Sequence, residues 1–243
     1  MTSIIHLPET DSTNCYLTGL LKTDNPEEGT LFWTSRQNAG RGQGSNVWES
    51  APDMNLCFSM VFYPSFLLPS KQFWLSKLLG VALVDFADTL GVENVSVKWP
   101  NDLYVGSRKL GGILIETVIA GNYMKNAVAG VGINVNQRVF SPGIPNPISL
   151  AEAAKRSFEP ASLAPLVQRA IMGRYEQARS GRLAEIDRIY HDRLYHRGGV
   201  SAFADSSGKF EGTLERVGED GRLYILTTEG EERKYWLKEV VFL

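Results

Sequence analysis

Four short segments hold more reactive and polar groups than packing alone requires. Residues 9–14 read Glu9-Thr10-Asp11-Ser12-Thr13-Asn14, with hydroxyl, carboxylate and amide groups where a strand turns into a helix. A helix cap and nothing more is the plain alternative there. Residues 35–48 contain Gln37 and then Gly40-Arg41-Gly42-Gln43-Gly44, closing on Trp48. Alternating glycines let a backbone approach an anion and turn N–H groups toward it. Arg41 adds a permanent, planar cation. No Lys-Ser or Lys-Thr pair follows, so this is not a nucleoside-triphosphatase phosphate loop. No helix pattern opens after it, so it is not a dinucleotide fingerprint either. A flexible surface loop is the alternative, against which Trp48 weighs slightly.

The third segment is Lys98-Trp99-Pro100-Asn101-Asp102. Pro100 pins a bend after a strand. An amine, an amide and a carboxylate at one strand end suit phosphates, a Mg²⁺ ion and a proton transfer; an Asx turn explains them less ambitiously. The fourth is Arg108-Lys109-Leu110-Gly111-Gly112, running on to Glu116, followed by Gly130, Gly132, Asn134 and Asn136. Adjacent glycines inside an apolar strand weaken it, so they mark a close ligand approach or a β-bulge. Asn134 and Asn136 share a face if the run is extended.

These groups need elements to position them. Residues 3–7, 30–36, 55–63, 95–99, 111–119 and 125–135 read as strands. Residues 37–47 read as a loop, and 71–90 hold the clearest helix, with Leu75, Leu78, Leu79, Ala82 and Phe86 on one face. Ser12 or Asp11 caps a helix reaching about residue 22. Ser149 with Glu152 forms a capping box, and helices cover 163–177 and 183–195. Gly121-Asn122 signals a hairpin. Short links favour antiparallel neighbours. The expected fold is therefore α/β (α+β): a mixed, mostly antiparallel sheet with helices on one side. From His196 onward short strands alternate with turn signals, which predicts a small β-barrel. The expected domains are 1–195 and 196–243.

The 243 residues are 43% apolar and 21% charged, as in ordinary globular proteins, and a net charge of −2 gives no field for holding nucleic acid. Cys15 and Cys57 form no CxxC pair and read as reduced thiols. No basic leader and no long apolar run is present, so no signal peptide, no membrane span and a cytoplasmic location are expected.

The order ETDSTN, then QNAGRGQ with a tryptophan seven residues after the arginine, then KWPND, then RKLGGILIE, then GVGINVN resembles the biotin protein ligase family over roughly residues 4–136. The resemblance implies a catalytic domain followed by an SH3-like barrel. It implies ATP and biotin as substrates, Mg²⁺, a biotinyl-5′-adenylate intermediate, and transfer to a lysine of a biotin carboxyl carrier protein or domain, usually that of acetyl-CoA carboxylase. Some members carry an N-terminal operator-binding winged helix. The early Glu9 motif leaves no room for one, so a ligase without repressor function is expected. Rival readings are a lipoate ligase-like acyl-adenylating transferase and a non-catalytic biotin sensor.

By the same resemblance Lys109, Arg41 and Asp102 are the catalytic candidates. Ser12, Thr13, Asn14, Gln37, Arg41, Gly42, Gln43, Lys109 and Gly111 match residues around biotin. Trp48, Lys98, Asn101, Asp102, Gly130, Gly132 and Asn134 match the ATP region, with Asp102 the candidate Mg²⁺ ligand. One departure stands out: where many members have further basic residues in the glycine loop, Gln43 through Val47 are uncharged here. Weaker retention of the adenylate is expected on that ground.

Overall fold

The computed structural model describes residues 2–243. Its larger sheet has seven strands: β1 (Ile4–His6), β2 (Leu31–Thr34), β5 (Leu56–Phe62), β6 (Val95–Lys98), β7 (Asp102–Val105), β8 (Arg108–Ala120) and β9 (Tyr123–Ile133). Their order is β1-β2-β5-β9-β8-β7-β6. Only the β1–β2 pair is parallel, so the sheet is mixed and mostly antiparallel. The β8–β9 hairpin turns at Gly121-Asn122, with Ala120 opposite Tyr123.

Every residue of β5 is buried. That follows from its place near the middle of a sheet covered on both faces. On one face Leu31, Phe58, Met60, Phe62, Val131 and Ile133 join the main core. Helices α2 (Phe73–Thr89), α4 (Pro160–Arg179) and α5 (Leu183–Asp192) pack there, with the short α3 (Leu150–Ala153) ahead of α4 in the chain. The alternate residues Phe32, Val61 and Val128 form a second, smaller core with Leu7 and Leu17. Leu17 belongs to α1 (Thr13–Leu20), which covers the opposite face. The one-sided helical layer thus holds for α2, α4 and α5, with α1 as the exception.

Residues after 196 form β10 (Val200–Asp205), β11 (Gly208–Val217), β12 (Leu223–Thr227), β13 (Glu232–Tyr235) and β14 (Val241–Phe242), an antiparallel sheet in the order β13-β12-β11-β10-β14. Phe203, Leu214, Leu223 and Ile225 merge with the main core. Polar contacts seat this sheet as well. Buried Lys77 of α2 donates to Asp187 at 2.6 Å and to the Val217 carbonyl at 2.7 Å. The Trp99 indole donates to the Gly221 carbonyl at 2.9 Å.

Candidate active site

The face of the sheet that carries α1 is bare where it leaves the helix. Gly130 and Gly132 of β9 and Gly112 of β8 present no side chain, and Gly112 pairs with Gly132 across the strands. A cleft enclosing about 690 Å³, its solvent-open part included, lies over this floor. The glycines are required by what stands above them. A Cβ on Gly130 would lie 2.7 Å from the Asn14 amide carbon, and one on Gly132 would lie 2.7 Å from Cζ2 of Trp48.

Helix α1 supplies a polar wall. Its cap Ser12 accepts from the Cys15 N–H, and Gln37 Oε1 accepts from the Thr13 N–H at 3.0 Å. Asn14 is buried and fixed in orientation. Its Nδ2 donates to the Leu114 carbonyl at 3.2 Å and to Glu116 at 3.1 Å, so Oδ1 is left to accept from Ser59 at 2.6 Å. Ser59 also lies 2.8 Å from Thr13 Oγ1. A hydroxyl inside the apolar run of β5 was the one signal in the sequence for Ser59.

The predicted loop 37–47 contains a two-stranded ribbon, β3 (Gly40–Arg41) and β4 (Val47–Trp48), which carries Arg41 and Trp48 back over the cleft. Arg41 pairs with Glu116 at 3.1 Å and donates to Cys15 Sγ at 3.5 Å. The Cys15 contact and the Glu116 charge push its pKa up, so it stays a cation. Trp48 rests on Gly132, and its buried indole N–H has no partner among the described residues. Cys57 stands behind it, its thiol pushed up to about 11 by burial and therefore inert.

At the far strands Lys109 Nζ pairs with Asp102 at 2.8 Å. Asn101 donates to the Ile113 carbonyl at 2.7 Å and holds the bend after Pro100. Residues 146–148 clamp the Lys109 backbone: its N–H donates to the Asn146 carbonyl at 2.7 Å, and its carbonyl accepts from Ile148 at 2.9 Å. Arg108 braces that segment through the Pro147 carbonyl and Glu152.

The cleft is thus lined by Ser12, Thr13, Asn14, Gln37, Arg41, Gly42, Gln43, Trp48, Asn101, Asp102, Lys109, Gly130 and Gly132 together. Three expected residues are elsewhere. Gly111 is not in the lining; Gly112 is. The strand pairing shifts there, Leu103 facing Gly111 and Tyr104 facing Lys109, so Leu110 is an extra residue. That bulge moves Lys109 into alternation with Gly112, and a Cβ on Gly111 would meet the Gly132 carbonyl instead. Lys98 points into an aromatic cage, 4.7 Å from the Tyr104 ring centre, 5.3 Å from Tyr195 and 5.2 Å from Phe242 of β14. Burial lowers its pKa. Asn134 lies just past the end of β9, where alternation no longer applies. It is buried and donates to the Ile148 carbonyl at 3.1 Å, bracing the Lys109 clamp. Asn136 likewise binds Phe158.

Residues 7–134 match the biotin/lipoate A/B protein ligase family. The bifunctional ligase/repressor BirA of Bacillus spizizenii is 27% identical over 220 residues, covering 88% of this chain and 67% of that protein. BirA of Escherichia coli is 37% identical over 153 residues, 62% of this chain and 47% of that protein. This chain therefore spans between about half and two thirds of these relatives. The solved biotin protein ligase of Aquifex aeolicus in complex with biotin and ATP superposes with a TM-score of 0.82 at 26% identity, covering 100% of this chain and 99% of that one.

Proposed function

Because the chain belongs to the biotin/lipoate A/B protein ligase family, we propose that this cleft activates biotin with ATP and passes it to a lysine of an acceptor protein. The observation that carries the reading is the cleft itself. One bare sheet face brings together the polar wall of α1 and two cations, Lys109 of β8 and Arg41 of the β3–β4 ribbon.

In the first step a biotin carboxylate oxygen attacks the α-phosphorus, and the bond to pyrophosphate breaks. Two anions meet, and charge grows on the phosphoryl oxygens. Fixed cations in a partly desolvated cleft offset both. Lys109 and Arg41 take that role, and Ser12, Thr13, Asn14 and Gln37 hold the neutral ring end. Trp48 offers a flat ring for the adenine. In the second step a neutral lysine amine attacks the acyl carbon and AMP leaves. Asp102 orients that amine and accepts its proton. No covalent enzyme intermediate is needed, in keeping with an inert Cys57. Asp102 is the one carboxylate among the described lining residues. Mg²⁺ takes one or two carboxylates and otherwise substrate phosphates and water, so this donor set fits it. Held there with ATP, the ion would neutralise triphosphate charge.

We take residues 1–195 as the catalytic unit and 196–243 as an appended module. The acceptor is a biotin carboxyl carrier domain, with acetyl-CoA carboxylase the usual source. Among the described residues no helix is long and apolar enough to cross a membrane. A cytoplasmic location fits two unpaired thiols. Biotin-dependent exchange of pyrophosphate into ATP, followed by labelling of a carrier domain, tests the reading. Exchange with lipoate in place of biotin would assign the cleft to the lipoate branch. Biotin binding without exchange would make the protein a sensor.

A further inference from the structure

The glycine loop between Asn38 and Val47 has a single charge, Arg41, and that charge is already paired with Glu116. Lys109 is likewise paired with Asp102. A substrate bringing several phosphate charges therefore meets a cleft whose cations are neutralised. An unpaired cation stands just outside. The turn after β13 reads Trp236-Leu237-Lys238-Glu239, closed by the Trp236 N–H donating to Glu239 at 2.6 Å. Lys238 has φ 70, the left-handed region that disfavours an L side chain. Its side chain crosses to the tip of the glycine loop. Nζ lies 3.1 Å, and Cε 3.8 Å, from where a Cβ on Gly44 would stand. Among the described residues the lysines in salt bridges are Lys71, Lys77, Lys109 and Lys234, so Lys238 has no carboxylate partner. Gln43 lines the active-site cleft and also the adjoining groove, where Trp236 and Leu237 form the other wall. The C-terminal turn thus lies against the back of the loop whose front covers the cleft.

We propose that Lys238 is a positioning residue of the active site, the second cation that the glycine loop lacks, delivered by the C-terminal sheet. It holds the loop over the phosphate of ATP and of the acyl-adenylate and slows escape of the intermediate. The inference rests on the ligase reading above. Behind the loop, a free ammonium gives up no ion pair when phosphate charge draws the loop closed, whereas Arg41 must exchange Glu116 for phosphate. Charge-assisted contacts of this kind in a partly exposed setting change affinity by about tenfold. The unfavourable φ at a charged, exposed side chain is also accounted for, since a glycine there would relax the turn but remove the cation.

Lys238→Gly is the informative variant, because φ 70 suits glycine and the turn should keep its shape. In this variant the KM for ATP should rise about tenfold, and biotinyl-adenylate release, followed by stopped flow after a chase, should accelerate by a similar factor. Biotin binding without ATP should not change. Lys238→Arg should restore both parameters. Raising salt from 50 to 500 mM (an assay range) should weaken ATP binding more in the parent than in Lys238→Gly. Parent-like KM and release in Lys238→Gly would overturn the proposal, as would failure of arginine to rescue. Absence of biotin-dependent exchange in the parent would instead strike at the ligase reading, so the two failures are told apart.

Discussion

Replacing Gly130 with alanine tests whether the bare sheet face exists for the sake of Asn14. The three atoms nearest to such a methyl all belong to the Asn14 amide, with its carbon at 2.7 Å and Nδ2 at 3.0 Å. Three hydrogen bonds hold that amide, so it cannot simply yield. Overpacking of this sort costs about 1–3 kcal/mol. Expelling the amide would take a donor from the Leu114 carbonyl and leave Ser59 only Thr13 Oγ1 as acceptor, for about 1–3 kcal/mol more. Part of each is relieved by the other, so Gly130→Ala is expected to destabilise by about 2–3 kcal/mol. Asn14→Ala should cost about 2 kcal/mol by losing the same bonds. In the Asn14→Ala background the clash is gone, and alanine in a strand is favoured over glycine by about 0.5–1 kcal/mol. The methyl should there be neutral or stabilising. Urea unfolding of the four proteins gives the coupling, expected at about 2–3 kcal/mol. If Gly130→Ala costs as much without Asn14 as with it, the glycine answers to something other than the asparagine.

Three further outcomes are expected. Lys109→Ala should lower single-turnover adenylate formation by about 10² or more, with a smaller loss in biotin affinity, because the cation acts most where charge develops; a normal rate would remove Lys109 from the chemistry. Asp102→Asn should slow transfer from preformed biotinyl-adenylate to a carrier domain, and parent-like transfer at every pH would refute amine activation by Asp102. The third concerns His191, whose Nδ1 contacts the Asp187 carbonyl at 2.8 Å and whose Nε2 accepts from the Val217 N–H at 2.9 Å, which requires a neutral ring. Burial lowers its pKa from 6.5. Below about 6.5 the unfolded chain binds a proton that the folded chain refuses, so stability falls on acidification. That slope should be shallower in His191→Gln, and an equal slope in thermal unfolding would show that His191 does not couple pH to the fold.

Much of the site was legible because its groups break local rules: glycines in strands, amides and hydroxyls at a helix start, a lone arginine among glycines. What stayed hidden depends on register and on strand ends. The resemblance pointed to Gly111, and the bulge at Leu110 puts Gly112 on the cleft face instead. The pair Asn134 and Asn136 looked like one face of a strand, but the strand stops at Ile133 and both amides brace loops. Lys98 was expected in the ATP region, and its place beside an aromatic cage depends on β14, over a hundred residues away in sequence, which supplies Phe242. Strand β7 went unread because Pro100 and Asn101 signal a turn, whereas the next four residues pair with β6 and β8. The sheet was otherwise visible because alternation and hairpin turns are local, while α1 crossing to the opposite face is not.

Strand β9 shows how stability and chemistry share one element. Its core-facing residues Ala127, Ala129, Val131 and Ile133 are all buried against the helices, whereas its other face goes from Val128 under α1 to Gly130 and Gly132 under the cleft. A period of two lets the first set stabilise the fold without constraining the second. The cost of two glycines is then carried by a strand that, from Ala127 to Ile133, is paired on both sides, with β5 and with β8. A flat surface of backbone results, wide enough for the Trp48 indole to lie on Gly132. The same economy governs charge. Both cations of the cleft have a carboxylate partner, Asp102 of the adjacent strand β7 for Lys109 and Glu116 of β8 for Arg41 on the separate ribbon, so the site folds without an uncompensated charge. Substrate phosphates must therefore displace carboxylates rather than fill a vacancy. Glu116→Gln should on that ground free Arg41, tighten nucleotide binding and slow product release, and unchanged AMP affinity in that variant would show that Glu116 does not compete for Arg41.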